Sequence, residues 1–203
     1  MSAFSSAAGP RPAGRFGRTD GLKLVGAMVA LMWVSEMIDV VLGGRLDGLG
    51  IEPRDLDGLI GVALGPFLHV GFGHLVANTI PFVVMGGVIA LAGALRVAAV
   101  AVIVGLISGL GTWLIAPEST VHIGASGLVF GFATYLVARG VFNRDLLQLV
   151  VGAAVVLMFG TALLGGLVPQ QGISWQAHFF GAAGGIAAAR VLVRRREEHP
   201  ARA

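Results

Sequence analysis

The sequence has no cysteine, and a single lysine (Lys23) among its 203 residues. Without thiols there are no disulfides, no thiolate metal sites and no cysteine nucleophile. Charge of either sign is also scarce. Asp, Glu, Lys and Arg make up 12% of the chain, about half of what a soluble domain carries, which is too little to cover a water-exposed surface. Nor is there a His-Glu-x-x-His, and the histidines have no acidic ligand beside them, so a zinc protease of that type is not expected. No metal or other cofactor is expected. The pI near 10.5 does not point to nucleic acid, because the basic residues form short clusters at the ends of apolar segments and no continuous patch.

What the chain has instead is apolar length. Hydrophobic residues make up 56% and the mean hydropathy is +0.86. Six apolar segments run from about residues 22–42, 72–91, 97–116, 126–138, 146–168 and 175–193. Segments of roughly 20 apolar residues are membrane-helix candidates. The 32 glycines suit helices that pack closely in a membrane. The expected fold is all-α, a polytopic bundle of six transmembrane helices. Residues 1–21, rich in Ser, Ala, Gly, Pro and Arg, read as a flexible cytosolic tail. The apolar run that follows them is too long for a signal-peptide h-region and lacks a clear cleavage site. Residues 22–193 form the membrane domain, and residues 194–203 a basic cytosolic tail.

The basic residues set an orientation. Arg11, Arg15, Arg18 and Lys23 precede the first segment. Arg96 lies between the second and third, and Arg139 and Arg144 between the fourth and fifth. Arg190, Arg194, Arg195, Arg196 and Arg202 end the sixth. With six spans all of these fall on one side, so both termini are expected in the cytosol of a multi-pass cell-membrane protein. The loop from Gly43 to Val70 is then extracytoplasmic. Its apolar residues (Leu56, Leu59, Ile60, Val62, Leu64) suggest that it dips into the interface and packs on the helices.

Polar side chains within membrane segments are costly and point to function. The second segment and its approach carry His69, His74 and Asn78. The fourth opens with Gly124-Ala125-Ser126-Gly127, and the sixth carries His178. Arg139 lies 13 residues beyond Ser126 and Arg190 lies 12 beyond His178, about 20 Å and about 18 Å along a helix. Both residues therefore sit at one depth, about 10 Å below the outer surface of a hydrocarbon core about 30 Å thick. Gly127 and Gly131, and Gly181 and Gly185, form two small-xxx-small pairs that let helices approach closely. If these faces meet, His178 reaches the Ser126 hydroxyl and can act as its general base. His74 and Asn78, four apart, share a helix face and suit an oxyanion hole.

Each residue also has a structural reading. Gly-x-Ser-Gly is unspecific in so glycine-rich a chain. Ser126 suits a helix N-cap, and His178, His74 and Asn78 suit interhelical hydrogen bonds. His69 fits a structural role in bonding the long loop, and His122 a loop-ordering one. Glu36 and Asp39 could form a proton relay, or bond to the long loop. A proton-coupled carrier built on these groups would favour inverted repeats, and no such internal symmetry is visible.

Together, His69-x-x-x-x-His74-x-x-x-Asn78, Gly124-Ala125-Ser126-Gly127 and Ala177-His178-x-x-Gly181-x-x-x-Gly185 resemble the signature of the rhomboid family, over about residues 22–193. The resemblance implies an intramembrane serine endopeptidase with a Ser–His dyad and no acidic third member. Ser126 would be the nucleophile and His178 the base. His74, Asn78 and the Ser126 N–H would form the oxyanion hole. The implied partners are single-span membrane proteins cut at small residues near the outer end of a helix, within the lipid bilayer. Many members carry a tyrosine four residues after the nucleophile, stacked on the catalytic histidine. Here Phe130 keeps the ring without the hydroxyl. The first loop often carries a Trp-Arg pair, absent here, for which Arg54 is a candidate substitute. The competing reading on the same fold is a non-catalytic membrane chaperone or trafficking factor.

Overall fold

The computed structural model describes residues 16–192. Its helices are α1 (Arg18–Leu42), the short α2 (Ile60–Leu64), α3 (Gly71–Ala90), α4 (Ala94–Ile115), α5 (Ser126–Asn143), α6 (Leu146–Gly166) and α7 (Trp175–Val191). The six long helices coincide with the six apolar segments, and α2 lies in the Gly43–Val70 loop with three short 3-10 turns. Most of the expected tails, with Arg11, Arg15, Arg194, Arg195, Arg196 and Arg202, lies outside the described residues.

Two helix boundaries differ from expectation. α1 starts at Arg18, inside the stretch read as tail. The Gly17 N–H donates to Asp20 Oδ2 at 3.1 Å, and an acid in the first turn complements the helix dipole. α5 runs to Asn143 rather than about residue 138, and Arg144 ends it in the left-handed region at φ 51°. Arg139 is not a helix end, because its guanidinium lies over the Tyr135 ring one turn earlier (5.8 Å). By length and composition α1, α3, α4 and α6 are apolar enough to cross a membrane. α5 and α7 are shorter or more polar, and other helices cover them. α5 is the hub, packed on α7, α6, α3 and α4, while α4 also packs on α7 and α1 on α3.

Small residues make the central contact possible. A Cβ at Gly181 would collide with the Gly127 carbonyl, and one at Gly185 with the Gly131 carbonyl. Where backbones come this close, side-chain hydroxyls reach neighbouring carbonyls. Thr134 Oγ1 donates to Ala182 O, and Ser108 Oγ to Ala177 O, each at 2.8 Å. Phe82, Phe132, Leu75, Met85 and Leu136 fill the space between α3 and α5 and are fully buried.

The long loop packs against the bundle. Ile51 and His122 exchange two backbone hydrogen bonds of 2.9 and 3.0 Å. A Cβ at Gly109 of α4 would stand 2.7 Å from Val62 Cγ1, so Val62 packs there, whereas Leu56 and Ile60 stay exposed. Arg54, at φ 60°, ties the loop to the end of α4. Its N–H donates to Trp113 O at 3.1 Å, its Nη1 to Leu114 O at 3.0 Å, and its Nε pairs with Glu118 Oε1 at 2.8 Å. Trp113 Nε1 answers by donating to Asp55 O at 2.7 Å. Arg54 thus anchors the loop by capping a helix C-terminus, where free carbonyls favour a cation. Asp39 also bonds to the loop, accepting from the Leu46 N–H at 2.6 Å. Asp47, in the loop, has its carboxyl pushed up by burial and by the nearby charge of Asp39.

Candidate active site

The site forms where α5 begins. Gly124 precedes it at φ +113°, a conformation that L residues rarely adopt. A Cβ there would also stand 2.6 Å from His74 Cε1, so glycine is required on both counts. Two bonds fix this turn from behind. Gly124 N–H donates to Gly65 O at 2.9 Å, and Ala125 N–H donates to His69 Nε2 at 3.3 Å. His69 is almost fully buried and sits edge-on to His74, with ring centroids 5.2 Å apart. Burial, and then the neighbouring His74, push its imidazole down to about 4. It therefore stays neutral near pH 7 and keeps a lone pair for Ala125. Burial likewise lowers His122, whose Nε2 lies 2.8 Å from Thr120 Oγ1 in the loop before the turn.

Ser126 is the first residue of α5. Ala125 occupies the N-cap position, and the Ser126 hydroxyl points across to α7. On α7 the Ser174 side chain caps the helix by accepting from Ala177 N–H at 3.3 Å, which places His178 one turn in. His178 Nε2 lies 2.8 Å from Ser126 Oγ, and His178 Nδ1 lies 2.7 Å from the carbonyl oxygen of Gly166. A carbonyl can only accept, so Nδ1 carries the proton and Nε2 offers a lone pair to the serine hydroxyl. The Phe130 ring stacks on the imidazole at 4.2 Å with a 5° tilt. Together the carbonyl and the ring leave the imidazole one orientation.

His74, Asn78, Ser126, Phe130 and His178 line a single cavity of about 420 Å³, to which α6 adds Phe159, Ala162 and Leu163. Asn78 Nδ2 donates to His74 O at 3.0 Å, which leaves one amide hydrogen free to point into the cavity. The N–H groups of the first turn of α5 lack intrahelical acceptors, and that helix end favours negative charge. The cavity shares His74, Ile123, Gln170 and Ser174 with a wider opening at the loop end of the bundle, which gives the polar groups a route to water. Chemically, the arrangement can deprotonate a hydroxyl and stabilise an anion beside it.

All four polar candidates, Ser126, His178, His74 and Asn78, are thus placed in one cavity, and Gly124, Gly127, Gly181 and Gly185 sit where bulk is excluded. Sequence reasoning missed Gly166. A Cβ there would come within 2.8 Å of Phe130 and 3.0 Å of His178 Nδ1, and its carbonyl orients the imidazole. A backbone acceptor leaves no mark in a sequence. Bonding of His69 to Ala125, rather than to the long loop alone, was missed too.

Comparisons with known proteins agree with this architecture. The Rhomboid domain family model matches residues 58–195. Uncharacterized proteins of Mycobacterium bovis and Mycobacterium tuberculosis are 44% identical over 172 residues, covering 81% of this chain and 72% of theirs. YdcA of Bacillus subtilis, whose name carries rhomboid protease as an unproven assignment, is 28% identical over 131 residues. That match covers 64% of this chain and 65% of YdcA. With the family model spanning most of the chain and four helices apolar enough to cross a bilayer, this is a membrane protein that belongs to the rhomboid family.

Proposed function

We propose that the protein is an intramembrane serine endopeptidase that cuts transmembrane segments of single-span membrane proteins. The observation that carries this reading is the 2.8 Å contact between His178 Nε2 and Ser126 Oγ, with His178 Nδ1 held by the Gly166 carbonyl at 2.7 Å. Ser126 Oγ attacks the scissile carbonyl carbon as His178 Nε2 takes its proton. The resulting oxyanion is met by the Ser126 N–H, the His74 ring N–H and the free Asn78 amide hydrogen. His178 then gives the proton to the leaving amine. A water from the loop end, deprotonated by the same imidazole, hydrolyses the acyl-enzyme. The Gly166 carbonyl does the orienting that an aspartate does in soluble triads; the imidazolium formed is stabilised by hydrogen bonding without a full counter-charge.

The arginine distribution supports an orientation with both termini in the cytosol of a multi-pass cell-membrane protein, and the site then opens toward the outside. The division into a membrane domain (residues 22–193) and two flanking tails belongs to the same reading. The test is labelling of the detergent-purified protein by a fluorophosphonate probe. Wild type is expected to label, and Ser126→Ala and His178→Ala are not. If folded wild type does not label while a soluble serine hydrolase does, the reading fails and a non-catalytic chaperone on the same fold takes its place.

A further inference from the structure

The end of the bundle remote from the candidate site gathers three arginines, one each from α4, α5 and α7, around aromatic residues of α5. Tyr135, Arg139 and Phe142 follow one another at spacings of four and three, so they share one face of the helix. They span about 10 Å of it. Arg139 lies over the Tyr135 ring at 5.8 Å, and Arg190 of α7 over the Phe142 ring at 6.0 Å. Arg96, in the first turn of α4, places Nη1 3.5 Å from the Tyr135 hydroxyl and donates to Leu192 O at 2.7 Å. Ring faces and a helix C-terminus hold these guanidiniums in place, unlike cations on free side chains.

Among the described residues, no carboxylate pairs with these arginines. The ion pairs there are Lys23–Asp20 and Arg54–Glu118, and neither involves the three arginines. The Arg139 Nε is buried with no acceptor among the described residues. Asp20 is engaged by Lys23 and the Gly17 N–H. Asp145 accepts from the backbone and the side chain of Gln148. At the opposite end, by contrast, Arg54 pairs with Glu118, and the loop around it holds Asp47, Glu52, Asp55 and Asp57.

We propose that Arg96, Arg139 and Arg190 form a cradle for the phosphate of an anionic phospholipid. The planar guanidinium fork matches phosphate oxygens. The neighbouring surface fixes the source of that phosphate. Val141, Phe142, Leu146 and Leu147 are exposed beside the cluster, at the end of helices whose outer faces are apolar. A lipid phosphate held by the arginines lets its acyl chains run down that surface, whereas a free phosphate gains nothing from it. The inference stands whether or not the chain cuts anything.

The test is native mass spectrometry of the full chain released from vesicles of equal parts phosphatidylcholine and phosphatidylglycerol. Wild type retains phosphatidylglycerol in preference to phosphatidylcholine. Each arginine removed lowers that retention about five-fold, so the double variant Arg139→Gln/Arg190→Gln loses most of it. Arg139→Lys/Arg190→Lys keeps the charge without the fork and retains an intermediate amount, which separates recognition from misfolding. Equal retention of the two lipids overturns the proposal, as does unchanged retention in the glutamine variant. Displacement of the lipid by inorganic phosphate would make this a free-anion site. If phosphatidylglycerol is retained only after Glu197→Gln/Glu198→Gln, carboxylates of the chain itself hold the arginines, and the proposal also fails.

Discussion

α6 and α7 both pack on α5, in different ways. α7 is locked along its length, with Gly181 and Gly185 against the carbonyls of Gly127 and Gly131 and Thr134 bonded to Ala182. Apart from its last residue, Gly166, which abuts Phe130 and His178, α6 is tight only near its start. There a Cβ at Gly140 would meet Leu149 N at 2.7 Å, and one at Gly152 would meet Val137 Cα at 2.9 Å. Toward its end it bounds the cavity, and Leu157, Met158 and Leu164 are largely exposed. The locked interface carries the Ser126–His178 contact, and the loose one walls the space a substrate would fill. The close backbone contacts that bring Ser126 and His178 together thus belong to α5 and α7, while α6 bounds the space beside them and lends the Gly166 carbonyl to the imidazole.

The comparison can be broken most severely at the locked interface. His178→Ala should lower peptide cleavage by about 10²–10⁴-fold, and Ser126→Ala should abolish it, both measured on a fluorogenic transmembrane substrate. Folded protein that still cleaves after Ser126→Ala would remove the serine from the mechanism. Loss of a donor comes next. His74→Ala or Asn78→Ala should each lower kcat by about 10²–10³-fold with little change in KM; a change confined to KM would place them in binding instead.

A matched glycine pair then sharpens the contrast between the helices. Gly181→Ala forces a methyl onto the Gly127 carbonyl and should cost about 1–3 kcal/mol of stability, read as a lower melting temperature in detergent. Gly160→Ala on α6, where the new Cβ meets only Val156 at 3.5 Å, should leave stability unchanged or slightly raised. Similar losses at both positions would contradict the asymmetry. In the loose region, a bifunctional thiol cross-linker joining Ala77→Cys of α3 to Ala162→Cys of α6, residues that both line the cavity, should stop cleavage of membrane substrates. Full activity in the crosslinked protein would show that α3 and α6 need not separate.

The smallest effect is one of pH. The His69 imidazole has its proton affinity lowered to about 4 in the fold, against an ordinary value of 6.5. A folded value below the unfolded one means that protons favour the unfolded chain. Stability from this group is complete above pH 6.5 and declines as pH falls from there to about 4. His69→Gln, which keeps an acceptor for Ala125, should flatten that part of the melting-temperature profile. An unchanged profile would assign the acid sensitivity elsewhere.

Counting residues along helices went far in this chain because membrane thickness makes helix length a ruler. It put Ser126 and His178 at one depth, and the glycine pairs supplied the faces that meet. It ended the fourth segment too early, because it took Arg139 for a terminus when the ring of Tyr135 shelters that cation inside the helix. It read all six segments as spans, the fourth a short one, whereas α5 and α7 are the pair outside the four helices apolar enough to cross a membrane, shielded by their neighbours. What it could not see were contacts made by backbone: the Gly166 carbonyl on His178, the Ala125 N–H on His69, and the Leu114 carbonyl on Arg54. Carbonyls and amides are the same at every residue, so sequence pattern carries no trace of which ones are used.

The Gly166 carbonyl has one further consequence. Gly166 is the last residue of α6, a helix that walls the cavity, so His178 takes its orientation from the same element that bounds the space a substrate would fill under the proposed function. With α6 displaced, the imidazole loses its acceptor and both its tautomer and its aim become free. Under the proposed function this contact is an interlock: a helix out of place would leave the base unaimed, and only a seated one would let it act.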